Sequence, residues 1–518
     1  MTEQNIMVGA ADLAPVEQAE TIATPNGFAL LGLAPELLAA VADLGFTQPT
    51  PVQQQCIGKA MAQTAGEGTK SFNDLMVSSQ TGSGKTAAFL LPVLHTLLKQ
   101  QADAAAADQK AYDDAIARGE TPPKRVRKNP LNPRTFKAAV PGALILCPTR
   151  ELAQQVANDA IDLVKHCRGL RIANVVGGMP YQMQIARLQN ADLVVATPGR
   201  LLDLQRSGQI RLDEVQFLVV DEADRMLDLG FSEDLEALNQ MTIKRGQTMM
   251  FSATFAPRIQ QLAARVMRQA ERIQVDSLQE KHANIKQVLF WADDARHKRA
   301  LLDHWLRDKS INQAIVFAST QVECDSLAED LQQDGFDAVA LHGALSQGLR
   351  NRRLNALRRG QVQILVATDV AARGIDVPTI THVFNFGLPM KSEDYTHRIG
   401  RTGRAGRDGL AITFAEFRDR RKIGDIEAYS KQRFNAEVIP GLEPKQRFAP
   451  TSAPRSGFGG KPARPGERRN GNGNGGGGGG FGRNTGFGAK SFGPREGGRG
   501  GFGGPREGGF GDRGRPAR

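Results

Sequence analysis

Short, mostly apolar runs recur along this chain, and their recurrence narrows its architecture more than any other feature. Asp74–Ser78, Ala143–Cys147, Leu193–Thr197, Phe217–Val220 and Thr248–Phe251 form one set; Ala314–Phe317, Asp337–Leu341, Ile364–Thr368 and His382–Phe386 form a second. Each is too short for a helix and lacks the strict polar alternation of a strand with one wet face. Strands of this kind, separated by segments long enough for helices, belong to parallel sheets covered on both faces. The 518 residues therefore imply an α/β protein with two such sheets in tandem, and a hydrophobic content of 40% suffices to fill both cores.

The first run opens into Ser78-Ser79-Gln80-Thr81-Gly82-Ser83-Gly84-Lys85-Thr86. Beyond it, Phe89, Leu90, Val93, Leu94, Leu97 and Leu98 mark one face of a helix. A Gly-rich turn between strand and helix points successive backbone N–H groups at phosphate oxygens, and the helix N-terminus favours their negative charge. Lys85 then reaches the β- and γ-phosphates while the Thr86 hydroxyl ligates magnesium. Ser79 stands where the general pattern has glycine, and a small residue still permits the turn. The candidate triphosphate cradle is Ser79, Thr81, Gly82, Ser83, Gly84, Lys85 and Thr86. Downstream, Phe217–Val220 ends in Asp221-Glu222-Ala223-Asp224, which sets carboxylates at the C-terminal end of a buried strand, where open α/β sheets bind ligands. Asp221 is the second candidate magnesium ligand, and Glu222 is placed to orient and deprotonate an attacking water. Nucleoside triphosphate with Mg2+ is the implied substrate and cofactor pair.

These motifs resemble those of the DEAD-box RNA helicases. The resemblance rests on Asp221–Asp224, Ser252-Ala253-Thr254 and His397-Arg398-Ile399-Gly400-Arg401-Thr402-Gly403-Arg404. Before and among them, in family order, stand Pro148–Leu152, Gly177-Gly178, Thr197–Arg200 and Ala367–Asp376, so the likeness covers roughly residues 27–440. Overall layout and the Gly-rich tail resemble those of the bacterial RhlE-like group. The resemblance implies two tandem RecA-like domains, ATP as the nucleotide and RNA as the partner. It implies that Gln53 reads the adenine edge, a task suited to a side chain offering donor and acceptor together. Phe28 matches the aromatic that stacks on the base, an ordinary core residue of the run with Leu30, Leu31 and Leu33 being the alternative. Asp376 matches the ribose contact, Arg401 and Arg404 the arginine fingers, and His397 the link from that motif to the triphosphate site. RNA contacts are implied for Pro148, Thr149, Arg150, Gly178, Thr197, Gly199 and Arg200 in the first domain, and for Gln347, Arg350, Thr368 and Arg373 in the second. Such contacts, mainly to phosphate and sugar, fix register without reading sequence. Ser252 and Thr254 match the coupling between hydrolysis and strand separation.

Charge divides the chain unevenly. Residues 445–518 hold 15 Lys/Arg against four acids, the entire +11 of the protein, whereas the first 26 residues hold four acids and no base. The implied organisation is a disordered acidic extension (1–26), a first domain (27–278), a linker (279–284), a second domain (285–442) and a disordered tail (443–518). In the tail, arginines neutralise phosphate while Phe458, Phe481, Phe487, Phe492, Phe502 and Phe510 stack on unpaired bases; a purely solubilising tail is the alternative. Gln100–Ala117 is Ala-rich and extends the helix after the phosphate loop. Residues 118–140 then form a basic insertion, either solubilising or in contact with RNA or the ribosome. Cys56, Cys147, Cys167 and Cys324 show no metal spacing and suit a reducing compartment. No signal segment and no membrane-length apolar run are evident, which implies a cytoplasmic location. Ribosomal particles or RNA-decay proteins are the candidate protein partners. A tail-driven RNA chaperone and a DNA helicase remain the competing classes, separable by ATPase rates with RNA, with DNA and with neither.

Overall fold

The computed structural model describes residues 26–64, 71–79, 83–119, 137–253, 255–275, 284–372, 375, 377, 379–404 and 407–445. All but a few residues of the expected extension 1–26, linker 279–284 and tail 443–518, and most of the 118–140 insertion, lie outside them.

Two seven-stranded sheets organise the described residues, and every pairing within them is parallel. The first contains β1 (Leu75–Ser78), β2 (Ala143–Leu146), β3 (Ile172–Val175), β4 (Leu193–Ala196), β5 (Phe217–Val220), β6 (Gln247–Ser252) and β7 (Glu271–Gln274), in the order β3-β4-β2-β5-β6-β1-β7. The second contains β8 (Ile285–Ala292), β9 (Gln313–Phe317), β10 (Ala338–Leu341), β11 (Ile364–Ala367), β12 (Ile380–Asn385), β13 (Gly409–Glu416) and β14 (Asn435–Glu437), in the order β10-β11-β9-β12-β13-β8-β14. Counted from its own first strand, the second order repeats the first.

Alternation along each strand divides the cores. Leu75, Val77, Ile145, Val195, Val219 and Phe251 pack under helices on one face of the first sheet, while Met76, Leu144, Val194, Leu218 and Met250 pack on the other. The second sheet divides likewise, with Phe290, Val316, Val366 and Phe384 opposite Ile315, Phe317, Leu365 and Val383. Both faces are dry, which is why the central strands carry no polar alternation.

The apolar runs do not mark β3, β7, β8, β13 or β14, and for β3, β7 and β14 a place at the sheet edge explains it. Edge strands keep polar side chains: Asn174 is only half-buried in β3, and Ile273 alone is buried in β7. All three residues of β14 are exposed. The helix after β1 runs Lys85–Ala117, so the Ala-rich stretch does extend it, to 33 residues and about 50 Å. Parallel strands bring the loops after β1, β2, β4, β5 and β6 to one edge of the first sheet, and those after β11 and β12 to one edge of the second.

Candidate functional site

The phosphate loop is shaped by one glycine and two serines. Gly84 caps the long helix at φ +88, a conformation that costs glycine little, and a Cβ there would stand 2.5 Å from Gln53 Nε2. The Ser79 N–H donates to the Ser252 carbonyl at 3.3 Å, and the Ser79 and Ser83 hydroxyls lie 3.0 Å apart. Lys85 Nζ crosses the loop to donate to the Ser79 carbonyl at 3.1 Å. Thr86 follows in the first helical turn, half-buried. Thr81 and Gly82 lie outside the described residues.

Gln53 has local duties. Its Oε1 accepts the Thr50 N–H at 2.9 Å in a capping box, and its Nε2 donates to the Gly84 carbonyl at 3.1 Å. It therefore fastens the helix Pro51–Met61 to the phosphate loop. The Phe28 ring is fully buried within the first core, so it offers no exposed face on which a base could stack.

Two carboxylates meet at the end of β5. Asp221 Oδ1 accepts the Glu222 N–H at 2.9 Å. Burial, reinforced by the Glu222 charge, pushes the Asp221 carboxyl up to about 7, with Lys85 opposing. Glu222 sits at φ +48, ψ +53, a left-handed conformation that is uncommon for a side chain of this kind and is held by the strand-to-helix turn. Its Oε2 is buried without a hydrogen-bond partner. Crowded, dehydrated carboxylate oxygens with an unfilled acceptor suit a hard divalent cation. Among the described residues no cluster of three or more His, Cys, Asp or Glu could enclose a metal, so Asp221 and Thr86 would supply part of a shell. Mg2+ fits that arrangement, because it retains waters and phosphate oxygens.

Asp224 joins the two domains. Its Oδ1 accepts the Ser252 hydroxyl at 3.1 Å, and its Oδ2 lies 3.4 Å from His397 Nε2. Burial works against ionisation, but the His397 hydrogen bond and charge outweigh it and hold the Asp224 carboxyl well below its usual range. Burial, with the Arg225 charge, lowers His397, while its hydrogen bond to Asp224 opposes the shift. Thr254 lies outside the described residues.

The arginines after His397 turn toward their own domain. Arg401 Nη1 donates to the Ile375 carbonyl at 2.8 Å, and Arg404 Nη1 reaches the same oxygen at 3.2 Å. Arg401 still lines a cavity with Glu222, Arg225, Asp394 and His397, so the Glu222 carboxylate of one domain and a guanidinium of the other share one space. Arg398 is structural: its fork grips Asp369 at 2.5 and 2.7 Å, and its plane covers the Phe317 ring.

Of the candidate RNA contacts, Pro148, Thr149 and Thr197 are buried, and Gly199 is exposed. Thr149 Oγ1 caps the helix Arg150–Leu163. Arg200 lies over the Tyr181 ring and donates to the Met179 carbonyl at 3.4 Å. Arg150 Nη1 donates to Gln347 Oε1 at 3.2 Å, passing over Gly178, where a Cβ would stand 2.6 Å away. Gln347 Nε2 donates to Glu151 Oε1 at 2.9 Å, and Arg350 pairs with the same oxygen at 2.9 Å. Gln347 and Arg350 are thus buried in the seam between domains, where the buried Glu151 carboxylate requires a cation. The resemblance had implied RNA contacts for both. Thr368 is half-buried at the end of β11, and its N–H donates to the Leu341 carbonyl at 3.2 Å. Arg373 and Asp376 lie outside the described residues.

Sequence reasoning missed the charges flanking the Asp224–His397 contact. Arg225, 2% exposed, donates to Asp394 across the cleft. Asp228 accepts Arg258 at 2.7 Å and Lys391 at 2.5 Å, and Arg258 also reaches Glu393. The available signal was Arg225 following Asp224 directly, and Asp394 one turn before His397.

Residues 50–262 match the DEAD/DEAH box helicase family, and residues 297–406 match the helicase conserved C-terminal domain. The chain is 39% identical over 427 residues to the ATP-dependent RNA helicase SrmB of Escherichia coli strain K12, covering 82% of this chain and 86% of that protein. It is 37% identical over 412 residues to the ATP-dependent RNA helicase RhlB of Pseudomonas syringae pv. tomato, covering 79% of this chain and 94% of that one. Among solved structures, S. cerevisiae Dbp5 bound to RNA and ADP BeF3 aligns with a TM-score of 0.65 at 29% identity, covering 79% of this chain and 96% of that one.

Proposed function

The chain belongs to the DEAD-box family of ATP-dependent RNA helicases, and we propose that it couples RNA-stimulated ATP hydrolysis to closure of its two RecA-like domains, locally separating RNA duplexes or remodelling RNA–protein complexes. The observation that carries this reading is Asp224, which takes a hydroxyl from Ser252 in its own domain and an imidazole N–H from His397 in the other. A carboxylate with one partner on each side of the cleft senses closure, and the catalytic constellation is whole only when both are present. The similarity to a structure holding RNA and ADP BeF3 supports a closed arrangement.

In the mechanism, the phosphate loop and Lys85 hold the triphosphate on the first domain. Thr86 and Asp221 would hold Mg2+, which would supply positive charge to offset that of the triphosphate. Glu222, poised by its left-handed backbone, orients the attacking water and takes its proton. Arg401 and Arg404 leave the Ile375 carbonyl to meet the phosphoryl oxygens, because a fork-shaped cation binds these more strongly than a neutral acceptor. RNA lies along Thr149, Arg150, Thr197, Gly199, Arg200 and Thr368, held through phosphate and sugar.

The RhlE-like placement, a cytoplasmic location and work on ribosomal particles or with RNA-decay proteins belong to the same reading. No described helix is long and apolar enough to cross a membrane. Tail arginines and phenylalanines add sequence-tolerant RNA affinity, so removing 445–518 weakens and flattens the salt dependence of RNA binding. The decisive measurement is ATPase rate with RNA, with DNA and with neither. Stimulation by RNA alone is expected; equal rates in all three reject the proposal.

A further inference from the structure

We propose that the Arg225–Asp394 ion pair sets the register of the closed cleft, with both acting as positioning residues that hold His397 against Asp224 and the Arg401 turn over the acids. This inference rests on the closure reading above and names the element that specifies the closed geometry.

The placement is the first argument. Arg225 follows Asp224 in the chain, and Asp394 stands one turn before His397 on the helix Ser392–Ile399. Residues three apart on a helix share a face. Two adjacent residues of one domain therefore grip two stacked residues of the other. A single contact fixes a distance but leaves a pivot; two contacts side by side also fix the rotation. Arg401 is two residues beyond that helix, so a rotation there would swing its guanidinium away from the cavity it shares with Glu222.

The second argument is burial. The Arg225 and Asp394 side chains are 2% and 7% exposed. Dehydrating both ions offsets most of their attraction, so such a pair adds little adhesion. A misregistered cleft, however, leaves an uncompensated buried charge, which is strongly disfavoured. The pair thus penalises wrong closures more than it rewards the right one. The planar guanidinium sharpens this, because its donors point in fixed directions.

A third argument is the flanking charge pattern. The first domain presents Arg225, Arg258 and Asp228, and the second presents Lys391, Glu393 and Asp394. One side is a net cation and the other a net anion, and only together are they neutral. The intradomain contact of Arg225 with Asp228 is long, 3.5 Å, so the stronger partner lies across the cleft.

The test uses the full chain carrying Asp394→Asn, Arg225→Asp, Asp394→Arg, and the last two combined. RNA-stimulated kcat, mant-ATP affinity without RNA, and the melting transition are measured for each. Asp394→Asn is expected to lower RNA-stimulated kcat at least tenfold, with mant-ATP affinity within twofold and melting unchanged. The combined swap is expected to recover at least tenfold over the weaker single reversal. Parent-like turnover in Asp394→Asn, or a swap no better than its singles, overturns the inference. A melting loss in Asp394→Asn that tracks its lost turnover assigns the pair to folding and also overturns it. A parent indifferent to RNA sinks the closure reading as well; a responsive parent with indifferent variants sinks this inference alone.

Discussion

The two sheets share one strand order, yet only the first is built to cradle a phosphate. β1 opens through Ser79 and Gly84 into a helix whose first turn carries no side-chain cap. Its counterpart β8 opens through Asp293 and Asp294 into the helix Ala295–Leu306, where Asp294 Oδ1 already accepts the His297 N–H at 2.8 Å. A carboxylate seated on those amides leaves fewer to give, and its charge repels a phosphate. The counterparts β5 and β12 diverge in the opposite sense: β5 ends in Asp221 and Glu222, whereas β12 leads to His397, Arg401 and Arg404. One scaffold, repeated, thus presents acids and a phosphate loop on one side and bases on the other. Each is half a site, and the chemistry belongs to their junction.

Four experiments can break or sharpen this contrast. The largest effect is expected from the second domain's contribution: Arg401→Ala should lower RNA-stimulated kcat by about 10³-fold while ATP still binds the first domain. Comparable turnover would mean that the first sheet hydrolyses ATP alone. Next, Glu222→Gln should lower kcat by roughly 10²-fold or more with folding retained, as for loss of a general base; steady-state ATPase assays decide it.

A smaller effect concerns acid. His397 is buried and held below its ordinary value of 6.5, so closure stabilises the neutral ring. A group whose value falls on burial weakens the buried state once pH drops below the solvated value, because the exposed form then gains the proton. RNA-stimulated turnover should therefore be insensitive to this group above pH 6.5 and decline several-fold below it, with the decline relieved in His397→Asn. An identical acid limb in that variant would move the cause elsewhere. The smallest effect belongs to the cap on the second sheet: Asp294→Ala should cost about 1 kcal/mol in denaturant unfolding and leave ATP affinity unchanged. An altered nucleotide affinity would show that the two helix entrances are less separate than their caps suggest.

How far these features were legible depends on how locally each is encoded. Most central strands were visible because both faces are dry, although β8 and β13 were not read, while the edges β3, β7 and β14 were hidden by polar residues that neighbouring layers do not cover. Ser79, Lys85, Asp221 and Glu222 were legible because strand, turn and helix bring them into place within a few residues. Gln53 and Phe28 were legible as family positions, but the capping box and the closed core that engage them were not. Gln347 and Arg350 were recognised by type, whereas their burial against Glu151 depends on a residue in the other domain.

The order of amino acids alone determined that there would be two parallel sheets, a loop for phosphate and a pair of acids beside it, because periodicity and turn chemistry act over a handful of neighbours. Only the tertiary structure decided which distant charges meet. Arg225 and Asp394 are 169 positions apart, and their places beside Asp224 and His397 hint at the pairing without fixing it. Electrostatic partnership depends on distance in space and on exclusion of water, and both arise only when the two folded halves come together.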